Sequence, residues 1–287
     1  MPAGPYGALL DAVRGVRWPA PRRVSGATLG AHPSHLRGNS SEFSEFRPYR
    51  QGDDPRRLDW RLLARSDRAF VRLTTDRATL PTTVIVDASA SMAFPQPGRD
   101  KWRLTREVAV GLASVAHGEG DPVGLAVAGT SPTVLAPRAR RSVLHEMMRA
   151  LDETSPAGAA PIAPLVSAAR AGRLVVITDL LGDFDDLLRA ARLRVARSDE
   201  VIVVHVMATE ELSPPGGAVL AVDPETPSLR RMLDEPARVT YRVSISQWLD
   251  DVSSALRAAS VRYVRAETDT PAAGLVRRIA GDARRGQ

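Results

Sequence analysis

Asp87, Ser89 and Ser91 place a carboxylate and two hydroxyls at alternate positions directly after the apolar run Thr83-Val84-Ile85-Val86. Oxygen donors of these types suit a hard divalent cation such as Mg2+, which prefers an octahedron of oxygens and keeps several waters. Two hydroxyls two residues apart on a tight loop can face one ion, and the carboxylate before them supplies charge directly or through a water. A second carboxylate from another strand end would complete the acidic side. Asp179, after Leu174-Val175-Val176-Ile177-Thr178, stands at such an end. The competing reading is that Asp87 and Ser89 only cap the helix that follows. A metal cradle requires Asp87 and Asp179 to meet at the same edge of one sheet.

The elements that would position them read as alternating strands and helices. Thr83 to Val86 and Leu174 to Ile177 are short apolar runs without polar alternation, as expected of strands buried on both faces. Further strands are predicted at 122–128, 133–136, 201–207 and 261–264. Helices are predicted at 6–16, 101–117, 141–151, 162–171, 184–196, 246–259 and 271–285. In the helix from Lys101, the residues Trp102, Val108, Leu112 and Val115 recur at helical spacing. Alternation of this kind implies a doubly wound α/β fold, a mostly parallel sheet flanked by helices. Binding sites in such sheets lie at the carboxyl ends of the strands, where Asp87 and Asp179 fall. Residues 212–243 break the alternation and read as an insertion, with short strands expected at 219–222 and 239–243. The organisation expected is an irregular N-terminal segment, 1–81, packed on a main domain, 82–287.

The chain of 287 residues has no cysteine, which rules out disulfides, thiolate nucleophiles and cysteine zinc sites. No apolar run approaches the roughly 20 residues of a membrane span, and no signal peptide is recognisable, so a cytoplasmic protein is expected. The net charge is +6, and residues 1–81 carry all of it, with 14 basic and 8 acidic side chains. Within that segment Arg47, Arg50, Arg56 and Arg57 interleave with Asp53, Asp54 and Asp59, while Tyr49 and Trp60 offer amphipathic anchors. The interleaving reads either as a network pinning the segment down or as part of a partner surface. A phosphate or nucleic-acid binder using these arginines is an alternative, against which the neighbouring acids count.

Enzyme motifs are missing. There is no G-x-S-x-G elbow, no G-x-x-x-x-G-K-[ST] loop and no G-x-G-x-x-G after the first buried strand. A metal-dependent phosphohydrolase remains as a further alternative, although phosphatases of the haloacid dehalogenase type have a second acid where Ser89 stands. The expectation is a non-enzymatic protein.

Asp87-x-Ser89-x-Ser91-Met92 resembles the metal-ion-dependent adhesion motif of von Willebrand A domains, and Ile177-Thr178-Asp179 resembles the later strand end of that motif. Glu42-Phe43, Arg47-Pro48-Tyr49, the run Gly52 to Trp60 and Ala64-Arg65 are similar to the signature of the bacterial family called domain of unknown function fifty-eight. The resemblance implies a von Willebrand A-like domain with Asp87, Ser89, Ser91 and Asp179 as metal ligands, a protein-interaction role, and a MoxR-type AAA+ ATPase as partner of an adaptor that handles a protein client. One position departs from the pattern. Ala160 stands where a threonine ligand is expected, so one oxygen donor to Mg2+ is lost.

Overall fold

The computed structural model describes residues 4–20, 29–33, 43–51, 58–74, 77–96, 98, 100–217, 219–226 and 228–281. The chain divides into two compact units, one of residues 1–18 and 81–287 and one of residues 19–80. The main unit begins with helix α1 (Gly7–Val13). The smaller unit holds β1 (Leu29–Pro33), β2 (Phe43–Pro48), α2 (Trp60–Ser66), β3 (Phe70–Thr74) and β4 (Arg77–Ala78). In it β1 pairs with β4 and β2 with β3, both antiparallel.

The main unit continues with β5 (Thr82–Asp87), α3 (Lys101–Gly118), β6 (Val123–Ala128), β7 (Thr133–Arg138), α4 (Val143–Glu153) and α5 (Ala163–Ala168). Then follow β8 (Arg173–Thr178), α6 (Phe184–Ala196), β9 (Glu200–Met207), α7 (Thr209–Leu212), β10 (Val219–Val222), β11 (Arg230–Leu233), α8 (Glu235–Ala258), β12 (Arg262–Glu267) and α9 (Ala272–Gly281). Among the described residues, six strands form the central sheet in the order β12-β9-β8-β5-β6-β7. All neighbours run parallel except β7, which closes one edge antiparallel to β6. This is the doubly wound, mostly parallel sheet read from the alternation of elements.

Every residue of β5, β6 and β8 is buried, because helices cover both faces of the sheet. Successive side chains in a strand point to opposite faces. Val84 and Val86 accordingly join one core with α1, α3 and α9, while Ile85 joins the other with α5, α6 and α8. Each fully buried leucine or valine contributes about 1.5–3 kcal/mol. Carboxylates fix where the helices begin: Asp100 caps α3, Asp183 caps α6 and Asp234 caps α8, each accepting a backbone N–H three residues on. β6 needs Gly124, because a Cβ there would lie 2.7 Å from both the Leu135 carbonyl oxygen and the Pro137 nitrogen of β7.

Two expectations change. Residues 1–18 belong to the main unit rather than to an N-terminal segment ending at 81. Tyr6, Val13 and Trp18 are buried in its first core, and the Tyr6 hydroxyl donates to Asp152 at 2.6 Å. The Arg173 guanidinium lies 4.1 Å from the Trp18 ring centroid and donates to the Trp18 carbonyl, while the Arg173 backbone N–H donates to the Pro81 carbonyl at 2.8 Å. The second change is in the insertion. Its first strand stands at 219–222 and pairs with 230–233, but residues 239–243 are helical. Asp234 and Pro236 start α8 well before the apolar periodicity of Trp248, Val252 and Leu256 begins, so the β-branched residues in 239–243 are carried into a helix already nucleated.

Candidate functional site

From β5 the chain crosses to β6 on one side and later returns to β8 on the other. A crevice opens at such a reversal, at the carboxyl ends of the two adjacent strands. Asp87 ends β5 and Thr178 ends β8, and the register that pairs Val86 with Ile177 brings them level. The Thr178 hydroxyl donates to Asp87 Oδ2 at 2.7 Å, and the Ser89 backbone N–H donates to Oδ1 at 2.8 Å. The Leu180 N–H in turn donates to the Thr178 hydroxyl oxygen at 3.1 Å. Beyond Asp87 the chain makes a single 3-10 turn, Ala90–Ala93, which the Ser89 hydroxyl does not cap. That hydroxyl instead lies 3.0 Å from the Ser91 hydroxyl. Two backbone bonds, Ala90 N–H to the Gly158 carbonyl and Ala157 N–H to the Ala88 carbonyl, join this turn to the loop after α4.

Asp179 follows Thr178 into the same crevice, so the four residues singled out from the sequence, Asp87, Ser89, Ser91 and Asp179, converge, and all are buried. Burial and the nearby Asp179 charge raise the Asp87 pKa above the ordinary carboxylate range, against the Ser89 and Thr178 hydrogen bonds that favour its anion. Three more side chains complete the site. Lys101 Nζ donates to Asp179 Oδ2 at 2.7 Å and to Glu211 Oε1 at 2.6 Å. Burial by itself would lower the Lys101 pKa, but Asp179 and Glu211 outweigh it and the net shift is upward. Glu211 Oε2 accepts the Ala208 N–H at 2.7 Å, and Asp179 Oδ1 accepts the Leu181 N–H at 3.2 Å. Above the cradle, the Ser91 hydroxyl donates to Glu225 Oε1 at 3.3 Å, from the turn between β10 and β11.

The family described as "Protein of unknown function DUF58" matches residues 45–248, most of the chain. The chain belongs to the DUF58 family. Uncharacterized proteins of Mycobacterium bovis and Mycobacterium tuberculosis are 28% identical to it over 289 residues, covering 97% of this chain and 90% of theirs. Among solved structures, an aerotolerance-related membrane protein from Bacteroides fragilis is similar at 16% identity and a TM-score of 0.49, covering 72% of this chain and 99% of that one. BatB from Bacteroides thetaiotaomicron is similar at 15% identity and a TM-score of 0.47, covering 72% and 100%. The manganese-loaded TRAP protein of Plasmodium vivax gives 12% identity and a TM-score of 0.36 over 44% and 56%. The sheet order and the loop after β5 agree with the von Willebrand A-like domain that the DUF58 motifs imply. No helix among the described residues is long and apolar enough to cross a membrane.

The DUF58 chain's own residues do not fit the resident divalent cation expected from its motif. Asp179, the second acidic ligand, is held by the Lys101 ammonium. The loop that should bring a threonine does reach the Asp87–Ser91 turn, with Gly158 in the left-handed region at φ 61°. Its Ala160 packs into the second core and offers no side-chain oxygen. The nearby Thr154 hydroxyl donates to the Ala150 carbonyl at 2.7 Å and so serves the end of α4. Two serine hydroxyls and the doubly hydrogen-bonded Asp87 are what remain.

In the smaller unit, Asp53, Asp54 and Arg56 lie outside the described residues. Asp59 caps α2 through the Leu62 N–H at 2.9 Å, which is its structural role. Trp60 is 64% exposed at the start of that helix, Tyr49 is at the surface, and Arg47 is half-buried with a 3.4 Å bond to the neighbouring Pro48 carbonyl. Sequence reasoning missed Thr178, Lys101, Glu211 and Glu225 as members of the site. Lys101 carried a signal: it is the single lysine in a chain with 39 basic residues.

Proposed function

We propose that this chain is a non-enzymatic adaptor that docks an acidic side chain of a protein partner at the Asp87–Ser91 cradle and works with a MoxR-type AAA+ ATPase in the cytoplasm. DUF58 membership and the von Willebrand A-like fold support the protein-interaction part of this reading. One contact supports the docking of an acidic side chain: the Ser91 hydroxyl donates to the carboxylate of Glu225, so an acidic group already rests against the cradle from within the chain. A partner's Asp or Glu would take the same hydroxyl once the turn at Glu225 moves aside. Asp87, with Thr178 and the Ser89 N–H, holds the turn that presents Ser89 and Ser91.

The test is capture of a MoxR-type ATPase from the same organism by the tagged full chain, in EDTA and in MgCl2. Capture that falls at least tenfold in Ser91→Ala and rises in Glu225→Gln supports the reading. Equal capture by wild type, Ser91→Ala and Glu225→Gln, or none by any of them, defeats it.

A further inference from the structure

The floor of the cradle already contains a fixed cation. Lys101 is the first residue of α3, placed there by the Asp100 cap. Its side chain is fully buried, and its ammonium bridges Asp179 and Glu211, two carboxylates delivered by segments far apart in sequence. An ammonium is a compact point charge with three donors in a tetrahedron, whereas a guanidinium is a planar fork. A pit between two carboxylates therefore suits a lysine, in a chain that otherwise uses only arginine.

The same contacts work against a metal ion. A divalent cation binding Asp179 would lie within a few ångströms of the ammonium, and like charges at that distance repel strongly away from water. One oxygen donor is also missing, because position 160 is alanine, which leaves the ammonium as the charge that keeps a cation from Asp179.

We propose that the Lys101 ammonium takes the place of the divalent cation, making the cradle a metal-independent site that meets a carboxylate through the Ser89 and Ser91 hydroxyls. Lys101 supplies a positive charge between the Asp179 and Glu211 carboxylates, and it holds the strand end of β8 and the α7 segment together. The site then needs no ion to be assembled. This inference concerns Lys101 and the cradle alone, so failure to capture an ATPase leaves it standing.

The experiment uses the purified full chain with MnCl2 as probe, read by electron paramagnetic resonance of free Mn2+ and by Tm. For the wild type, the free Mn2+ signal should be undiminished and Tm the same in EDTA, MgCl2 and MnCl2. For Lys101→Ala, Tm should be lower in EDTA and should rise with MnCl2 by about 5 °C or more at about a hundredfold excess over Kd. Adding Asp179→Asn to Lys101→Ala should abolish that response. Stoichiometric Mn2+ uptake by the wild type that is lost in Asp87→Asn would overturn the proposal. So would a folded Lys101→Ala that ignores Mn2+. If Lys101→Ala does not fold, the wild-type titration decides between the two outcomes.

Discussion

Thr178→Val tests whether the crevice is held together by the hydrogen bonds that join its two strand ends. Valine has nearly the shape of threonine, so no cavity opens, but two bonds disappear at once. Asp87 Oδ2 loses the donor at 2.7 Å, and the Leu180 N–H loses its acceptor at 3.1 Å. A hydrogen bond to a charged group is worth about 1.5–3 kcal/mol, and a stranded neutral N–H adds about 1 kcal/mol. The expected loss is about 2–4 kcal/mol, or about 5–15 °C in Tm for a unit of this size. Thermal and urea unfolding followed by circular dichroism would measure it. The effect should also depend on pH with a definite sign. The Thr178 bond favours the Asp87 anion, so the deficit is full where Asp87 is ionised and shrinks as pH falls through its raised folded pKa. A double-mutant cycle with Asp87→Asn should show a coupling of at least about 1 kcal/mol. Thr178→Val within about 0.5 kcal/mol of wild type at neutral pH would refute the account of the crevice.

His205 lies in β9 with Nδ1 2.8 Å from the Tyr263 hydroxyl, and burial lowers its pKa to about 4 despite the nearby Asp179 charge. The folded protein keeps this ring neutral, whereas the unfolded chain protonates it below the ordinary value of about 6.5. Stability is therefore unaffected above that pH and falls by up to about 3 kcal/mol between pH 6.5 and 4; His205→Phe should flatten Tm in this window, and an unchanged slope would count against it. Trp18→Ala removes a fully buried indole and the surface on which Arg173 stacks, so a loss of about 3–5 kcal/mol in chemical denaturation is expected, and under about 1 kcal/mol would contradict the placement of residues 1–18. Gly124→Ala drives a methyl against backbone atoms of β7 that cannot rotate away; it should lower stability by about 1–3 kcal/mol, and a neutral result would show that β7 shifts freely.

The centre of the sheet was legible because β5 and β8 carry unbroken apolar runs. Val84-Ile85-Val86 and Leu174 to Ile177 have no polar face, and only burial on both sides accommodates that. Asp87 and Asp179 were legible as a pair because both end such strands. The misreadings have separate physical causes. Residues 239–243 are rich in β-branched side chains, and a helix start set by Asp234 and Pro236 overrode that local preference. Tyr6, Val13 and Trp18 look unremarkable beside the basic residues that follow, and only tertiary packing reveals them as core. Asp59 was read with the arginines around it; its carboxylate also caps the first turn of α2, while Arg56 and Arg57 lie outside the described residues. Lys101, Glu211 and Glu225 come from three separate segments, and no spacing rule links positions that meet only in three dimensions.

Arg173 has a consequence for how the chain is assembled. It holds Trp18 through its guanidinium and Pro81 through its backbone, so residues 19–80 leave and re-enter the main unit at one clasp. Closing a shorter loop between the same two anchors costs little entropy. The excursion is thus removable in principle: a few glycines and serines bridging positions 18 and 81 should leave a truncated chain that still builds the six-stranded sheet and its crevice.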